Sequence, residues 1–118
     1  MEETRATIDI FTLFFVCSGL LITGLSIPMI KGLVKPNWWY GFRTVKTLSD
    51  EKIWYPANAY SGRLLLIMGI IWTAAPLILR FLPGVGTNFV LYSSIEGIIV
   101  LISMLVLVVL SIRYVRKL

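Results

Sequence analysis

The chain has 118 residues, of which 58% are hydrophobic and only 14% are charged. Soluble domains carry roughly 25% charged residues, and a chain of this length cannot bury so large an apolar share away from water. The composition therefore excludes an ordinary soluble protein and indicates one domain, residues 1–118, whose solvent is lipid. A single cysteine and no histidine exclude an intrachain disulfide framework and a zinc site built on thiolates, so we expect no metal and no cofactor.

Three apolar runs predict an all-α, polytopic integral membrane protein with three transmembrane helices. The first run, Ile10–Ile30, has 21 uncharged residues, and as a helix it would span roughly 31 Å, enough for a hydrocarbon core. It follows the acidic segment MEETRATID and precedes no small-residue cleavage site, so we do not expect a cleavable signal peptide. The predicted transmembrane helices cover about residues 9–31, 63–82 and 89–113, and a short interfacial segment, partly helical, covers residues 35–62.

The Lys and Arg residues are distributed unevenly between the two sides that three helices define. Because cytoplasmic loops of membrane proteins are enriched in Lys and Arg, we predict an outside N-terminus and a cytoplasmic C-terminus in the bacterial cytoplasmic membrane. The net charge of +5 then reflects attraction to anionic lipid rather than to nucleic acid. The predicted cytoplasmic side holds Lys31, Lys35, Arg43, Lys46, Lys52, Arg63, Arg113, Arg116 and Lys117, and the other side holds Arg5 and Arg80.

The polar segment between the first two helices reads KPNWWYGFRTVKTLSDEKIWYPANAYSGR, residues 35–63. Pro36–Asn37 predicts a turn, and the aromatic run Trp38–Tyr40 is typical of a headgroup interface. Thr47 or Ser49 can cap a helix whose first turn carries acidic residues, where the helix dipole favours them. We therefore predict a cytoplasmic-side helical segment between the first two transmembrane helices.

Further along this segment, Pro56 either begins a new helix or kinks one that continues into the membrane. Trp54, Asn58 and Gly62 recur at every fourth position, so each advances about 40° on a helix and the three share one face. An aromatic ring, an amide and bare backbone are an unusual set for lipid contact. This face suits a surface against which the rest of the segment folds back.

Glu96 interrupts the third apolar run about eight residues, or roughly 12 Å, after Asn88. An ionised carboxylate facing lipid at that depth would be costly, so this side chain must face the bundle, be paired or be protonated. Asp9 and Arg80 lie on the same predicted side, which makes an intramembrane charge cluster with Glu96 geometrically possible. The cluster would be either an interhelical bond that fixes register or an ion, proton or ligand site open to the outside.

Arg43 is the second charged candidate, because it follows Tyr40–Phe42 and precedes the hydroxyl of Thr44. A guanidinium in a Gly-containing turn suits a phosphate or a carboxylate held by two hydrogen bonds. It suits equally well a set of backbone carbonyls, which would hold the loop closed. The residue types leave both roles open.

The polar segment resembles the signature of the SdpI family of small bacterial membrane proteins. In that family a Pro-Asn pair, a Tyr-Gly-hydrophobic-Arg-Thr stretch and a Thr-Leu pair are followed by a Trp, an Asn and a Gly, all between two membrane helices. The resemblance implies that these residues are the ones to test first. The ligand- or partner-binding candidates are Asn37, Tyr40, Gly41, Arg43, Thr44, Thr47, Trp54, Asn58 and Gly62.

The resemblance implies immunity to a secreted toxic peptide, or signalling through a cytoplasmic repressor held at the membrane. The protein would act by binding rather than as an enzyme, because the chain has no nucleophile elbow, hydrolase-spaced carboxylates or Gly-rich phosphate loop. The alternatives are a structural or accessory subunit of a larger membrane protein complex and a carrier for a small solute or lipid. The expected partners are the bilayer, a peptide or repressor, and other membrane subunits or a second copy of the chain.

Overall fold

Four α-helices make up the computed structural model, which describes residues 2–118. They are α1 (Glu2–Ile30), α2 (Val45–Ser49), α3 (Glu51–Phe81) and α4 (Phe89–Val115). The helices α1, α3 and α4 are each long and apolar enough to cross a membrane, and residues 2–118 contain no strand. The prediction of an all-α protein with three membrane-spanning helices is confirmed.

The second long helix, α3, is continuous across Pro56. Asp50 caps its start, because the Asp50 carboxylate accepts a hydrogen bond from the Lys52 amide at 2.9 Å. Of the two possibilities for Pro56, the structure has the helix that continues into the apolar part of the chain. The first turns of α3 therefore belong to the polar segment, and they carry its residues on the same rigid element that spans the membrane.

The helices α1 and α3 run antiparallel and touch backbone to backbone where two Gly-Thr pairs face each other. A Cβ added at Gly19 would lie 2.6 Å from the Thr73 amide nitrogen, and one added at Gly69 would lie 2.8 Å from the Thr23 amide nitrogen. Each threonine hydroxyl donates to the glycine carbonyl four residues earlier in its own helix, at 2.8 Å. The pair thus meets without leaving a polar group unsatisfied, as close helix association in lipid requires.

The helix α4 packs on α3 through side chains rather than through close backbones. The indole N–H of Trp72 donates to the Ser103 hydroxyl at 2.9 Å, and the Ser61 and Ser111 hydroxyls are 2.8 Å apart. These bonds fix the register of the two helices at two levels. Because a tryptophan side chain stands between the helices, they are held further apart than α1 and α3.

Contact between α1 and α4 is concentrated at the end of the bundle that carries the α3–α4 turn. The hydroxyls of Thr12 and Tyr92 are 2.6 Å apart there, and a buried apolar cluster of Ile8, Leu79 and Val85 surrounds the Tyr92 ring. Towards the other end α1 and α4 diverge. The bundle is therefore closed at one end and open between α1 and α4 at the other.

We predict that Gly19→Ala and Gly69→Ala each lower the free energy of unfolding by about 1–3 kcal/mol, the usual cost of overpacking. The added methyl group would press on backbone atoms of the facing helix, which cannot move aside. Thermal or denaturant unfolding in detergent micelles measures this. Gly24→Ala is the matched control, since a Cβ at Gly24 meets no atom within 4 Å. Equal stability of all three variants would contradict the close-contact account.

Candidate functional site

The loop that connects α1 to α2, residues 31–44, turns on the side chain of Asn37. Its Oδ1 accepts hydrogen bonds from the amides of Trp39 (2.8 Å) and Tyr40 (2.7 Å). Its Nδ2 donates to the Lys35 carbonyl at 2.6 Å. An asparagine that bonds its own backbone in this way creates a turn, and this turn sends the chain back towards α3.

Trp54 and Asn58, on the first turns of α3, hold the returning chain. The Trp54 indole N–H donates to the Val34 carbonyl at 2.8 Å. The Asn58 Oδ1 accepts from the Phe42 amide at 2.6 Å, and its Nδ2 donates to the Trp54 carbonyl at 3.0 Å. Both side chains are fully buried. The polar face predicted from their four-residue spacing is thus the surface onto which the loop folds.

Gly41 lies directly over these two side chains. Its φ of +115° is a conformation that residues with a Cβ rarely adopt. A Cβ at this position would also lie 3.2 Å from the Trp54 ring and would press on the Asn58 Oδ1. Both the backbone conformation and the space available therefore require glycine here.

Tyr40 and Arg43 fasten the loop from its outer side. The Tyr40 hydroxyl donates to the Leu25 carbonyl on α1, and the Arg43 guanidinium donates to the Trp38 carbonyl. Burial raises the pKa of the Tyr40 phenol above its ordinary value, so the hydroxyl stays protonated and able to donate. Of the two roles left open for Arg43, the structure shows the bond to a backbone carbonyl.

Thr44 and Thr47 end the loop and begin α2. The Thr47 amide donates to the Thr44 hydroxyl at 3.0 Å, while the Thr44 amide donates to the Thr47 hydroxyl at 2.7 Å. The Thr47 hydroxyl also donates to the Phe42 carbonyl at 3.0 Å. This reciprocal cap is buried at Thr47, so it ties the short helix α2 to the loop as well as starting it.

Eight of the nine candidate residues thus hold the folded loop, seven through hydrogen bonds and Gly41 through its close approach to Trp54 and Asn58. We call these eight residues the loop clasp. Gly62 lies outside it, since a Cβ there would be 3.0 Å from side-chain atoms of Met29 and Ile30, and it lets α1 approach α3. Most of the hydrogen bonds of the clasp go to backbone groups of the protein itself. That any of these residues binds a ligand stays a prediction. The loop clasp consists of Asn37, Tyr40, Gly41, Arg43, Thr44, Thr47, Trp54 and Asn58.

Beside the loop clasp, an apolar cleft of about 330 Å³ opens between α1 and α4. The aromatic side chains of Trp39, Tyr40 and Phe42 border it on the loop side, and the Ser61–Ser111 pair lies at its polar edge. The remaining lining is aliphatic: Leu25, Met29, Leu65, Leu107 and Val108. A space of this volume and composition fits an apolar side chain or a segment of acyl chain.

Sequence reasoning missed the helical wall of this cleft. Leu65, Leu107 and Val108 are ordinary apolar residues of membrane helices, and nothing in their spacing separates them from residues that face lipid. Ser61 and Ser111 interrupt the apolar pattern in the parts of α3 and α4 that lie beside the loop clasp. These two serines could have indicated which face of each helix points into the protein, because a polar side chain in a membrane helix turns towards the protein interior.

The three charged candidates at the other end of the bundle are arranged as a pair and a single residue. Arg80 Nε and Asp9 Oδ1 are 2.5 Å apart, so α3 and α1 are joined by an ion pair. Glu96 is 1% exposed, and its Oε1 has no hydrogen-bond partner among residues 2–118. The structure therefore brings Asp9 and Arg80 into contact and leaves Glu96 buried without an ion-pair partner in that range.

These features define a three-helix integral membrane protein whose first connection is folded back onto its second long helix. A family model described as the SdpI/YfhL protein family matches residues 34–115, from the loop clasp to the last turn of α4. The chain belongs to this family. All eight residues of the loop clasp and the whole of α3 and α4 lie within the match.

A curated relative and the solved structures complete the comparison. The chain is 32% identical over 62 residues to the uncharacterized protein YfhL of Bacillus subtilis (strain 168), and these residues are 51% of this chain and 54% of that protein. The chain thus spans about half the length of the curated relative it matches. No solved structure matches the chain.

We predict that Asn58→Leu opens the loop clasp, because it leaves the buried Phe42 amide without an acceptor. The cost should be about 1–3 kcal/mol, and trypsin should then cleave after Arg43 faster than in the wild-type protein. Asn58→Asp is the matched control, since it keeps an oxygen for the Phe42 amide. Equal protection of the loop in Asn58→Leu and the wild type would contradict this role of Asn58.

Proposed function

We propose that this protein protects a bacterial cell against a membrane-active peptide, and that it does so by binding rather than by catalysis. Membership of the SdpI/YfhL family supports a membrane protein of this type, and the family is not a known enzyme family. The apolar cleft beside the loop clasp is the observation that carries the proposal. It is a preformed concave surface within a membrane domain, which is where a lipid-inserted peptide would be met.

The cleft fits the apolar face of a peptide that lies in the inner half of the bilayer. Its lining is almost wholly apolar, and its volume of about 330 Å³ accommodates one or two large side chains. Trp39 stands at its rim with 88% of its surface exposed. An exposed tryptophan at a headgroup interface is suited to packing against an incoming amphipathic segment.

Signalling to a cytoplasmic repressor is the second candidate, and a separate surface favours it. Trp38 is 75% exposed and Val45 is 91% exposed, and together with Arg43 they border a shallow open depression in front of α2. Apolar side chains beside a cation, on the side of the protein proposed to be cytoplasmic, suit a folded protein partner. Peptide and repressor would thus use different faces of the same loop.

Expression of the chain alone in a host sensitive to a membrane-active peptide tests the protective role. We predict that the wild type raises the inhibitory concentration and that Val108→Trp, which fills the cleft, abolishes the protection. Val109→Trp is the matched control, because Val109 is similarly exposed (50% against 47%) but does not line the cleft. Loss of protection in both variants, or in neither, would contradict binding in the cleft.

Expression of the chain alone in this host also distinguishes the proposed protective role from the two alternative functions. A structural subunit of a larger complex would be degraded when expressed alone and would co-purify with other chains in fixed stoichiometry. A carrier for a small solute or lipid would confer transport in vesicles without affecting peptide sensitivity. Both outcomes would replace the proposed function.

We further propose that the loop clasp faces the cytoplasm, since nine of the eleven Lys and Arg residues lie on that side. In a Cys17→Ser background, Thr87→Cys, an exposed position in the α3–α4 turn, should react with a membrane-impermeant maleimide on intact cells. Leu118→Cys should react only after the cells are permeabilised. The reverse pattern would place the cleft in the outer half of the membrane and the peptide site with it.

A further inference from the structure

The end of the bundle that carries the α3–α4 turn contains a buried carboxyl group, that of Glu96. The proposed peptide binding does not involve this group. Glu96 is 1% exposed, its Oε1 has no hydrogen-bond partner, and no ion pair among residues 2–118 includes it. A lone carboxylate in such surroundings is strongly disfavoured against its neutral acid. The burial of Glu96 without an ion-pair partner therefore favours its neutral, protonated form in this conformation.

The charged and titratable groups around Glu96 come from all three long helices. Asp9 lies on α1, Arg80 on α3 and Tyr92 on α4. Asp9 and Arg80 directly follow Ile8 and Leu79, which form one buried cluster with Tyr92, and Glu96 lies one helical turn after Tyr92. The Tyr92 hydroxyl is 2.6 Å from the Thr12 hydroxyl. Since side chains on a helix lean towards its N-terminus, Glu96 on α4 is directed towards this group and towards the outer end of the bundle.

Arg80 is the cation that pairs with Asp9 at this end of the bundle, and the Asp9 side chain is open to solvent. Its Nε lies 2.5 Å from Asp9 Oδ1 and its Nη1 donates to the Gly86 carbonyl at 3.5 Å. The Asp9 side chain is 58% exposed, whereas that of Arg80 is 19% exposed. When Arg80 leaves, water can solvate the exposed Asp9 carboxylate. Among Asp9, Tyr92 and Arg80, only Arg80 carries a positive charge that could pair with a Glu96 carboxylate.

We propose that Glu96 is a proton-binding site reached from the outer end of the bundle, and that its proton determines which carboxylate Arg80 pairs with. With the proton bound, Arg80 pairs with Asp9 and joins α3 to α1. On release, the O–H bond breaks, the electron pair stays on the carboxylate and the proton passes to water at the outer face. Arg80 then turns from Asp9 to Glu96, so that the ion pair joins α3 to α4 instead.

The full-length protein in lipid vesicles tests this with dicyclohexylcarbodiimide, an apolar reagent that modifies protonated carboxyl groups in membranes. Modification of the peptide that contains Glu96, measured by mass spectrometry, should be high at acidic pH and fall as the pH rises. Glu96→Gln should carry no modification in this peptide. The exposed carboxyl group of Glu51 serves as the matched control, since it lies outside the apolar region and should not be modified.

Two variants should move the midpoint of this pH dependence in opposite directions. Asp9→Asn frees Arg80 for Glu96, favours the carboxylate and lowers the midpoint by about one pH unit or more. Arg80→Gln removes the only described cation that the proposal assigns to Glu96 and raises the midpoint by a similar amount. A midpoint that does not move, or that moves in the same direction in both variants, would overturn the exchange of partners.

A spectroscopic measurement keeps the proposal testable if either variant fails to fold. Infrared difference spectra of the wild-type protein against Glu96→Gln should show the carbonyl stretch of a protonated carboxylic acid, which disappears as the pH is raised. Absence of this band at every pH, or absence of carbodiimide modification at Glu96, would show a permanently charged or inaccessible group and would overturn the proton site.

Discussion

The close contact of α1 and α3 at Gly19 and Gly69 is the constraint on which the rest of the structure depends. Two helices that meet backbone to backbone leave no space for side chains between them, so every other group must be arranged around this pair. Gly62 extends the close approach to the last turn of α1. The helix α4 contacts α3 through the Trp72–Ser103 bond and the Ser61–Ser111 pair, and it cannot approach both partners equally. The cleft between α1 and α4 is the consequence.

The loop clasp satisfies the backbone hydrogen-bonding groups of the connection between α1 and α2. A connection lying at the surface of a membrane must satisfy its backbone groups within the protein wherever water is excluded. The side chains of Asn37, Asn58 and Thr47 bond these backbone amides and carbonyls, and each makes more than one such hydrogen bond. The same side chains that distinguish this family in sequence therefore first build the loop. They position the aromatic residues at the rim of the cleft, where the proposed peptide binding would use them.

The two ends of the bundle differ in chemistry, and the difference separates two kinds of event. The end with the loop clasp presents apolar surface and exposed aromatic rings, which suit association with another amphipathic chain. The opposite end holds the Asp9–Arg80 pair and the buried Glu96, which suit the movement of charge. Because α3 runs through both ends as one continuous helix, a change of partner at Arg80 acts on the element that carries Trp54 and Asn58.

The sequence by itself determined that this is a membrane protein with three spanning helices and that Trp54 and Asn58 share one polar helix face. It also determined that Glu96 cannot face lipid as an unpaired carboxylate. Each of these follows from local chemistry: apolar runs long enough for a bilayer, a fixed helical period, and the cost of a charge in lipid. Only the tertiary structure decided that Arg80 pairs with Asp9 rather than with Glu96 and that a cleft lies beside the loop. Leu107 and Val108 are interchangeable in composition with the residues that face lipid. Which of them line a cavity depends on the spacing between helices, and this spacing is set by contacts such as Gly19 with Thr73 that join residues distant along the chain.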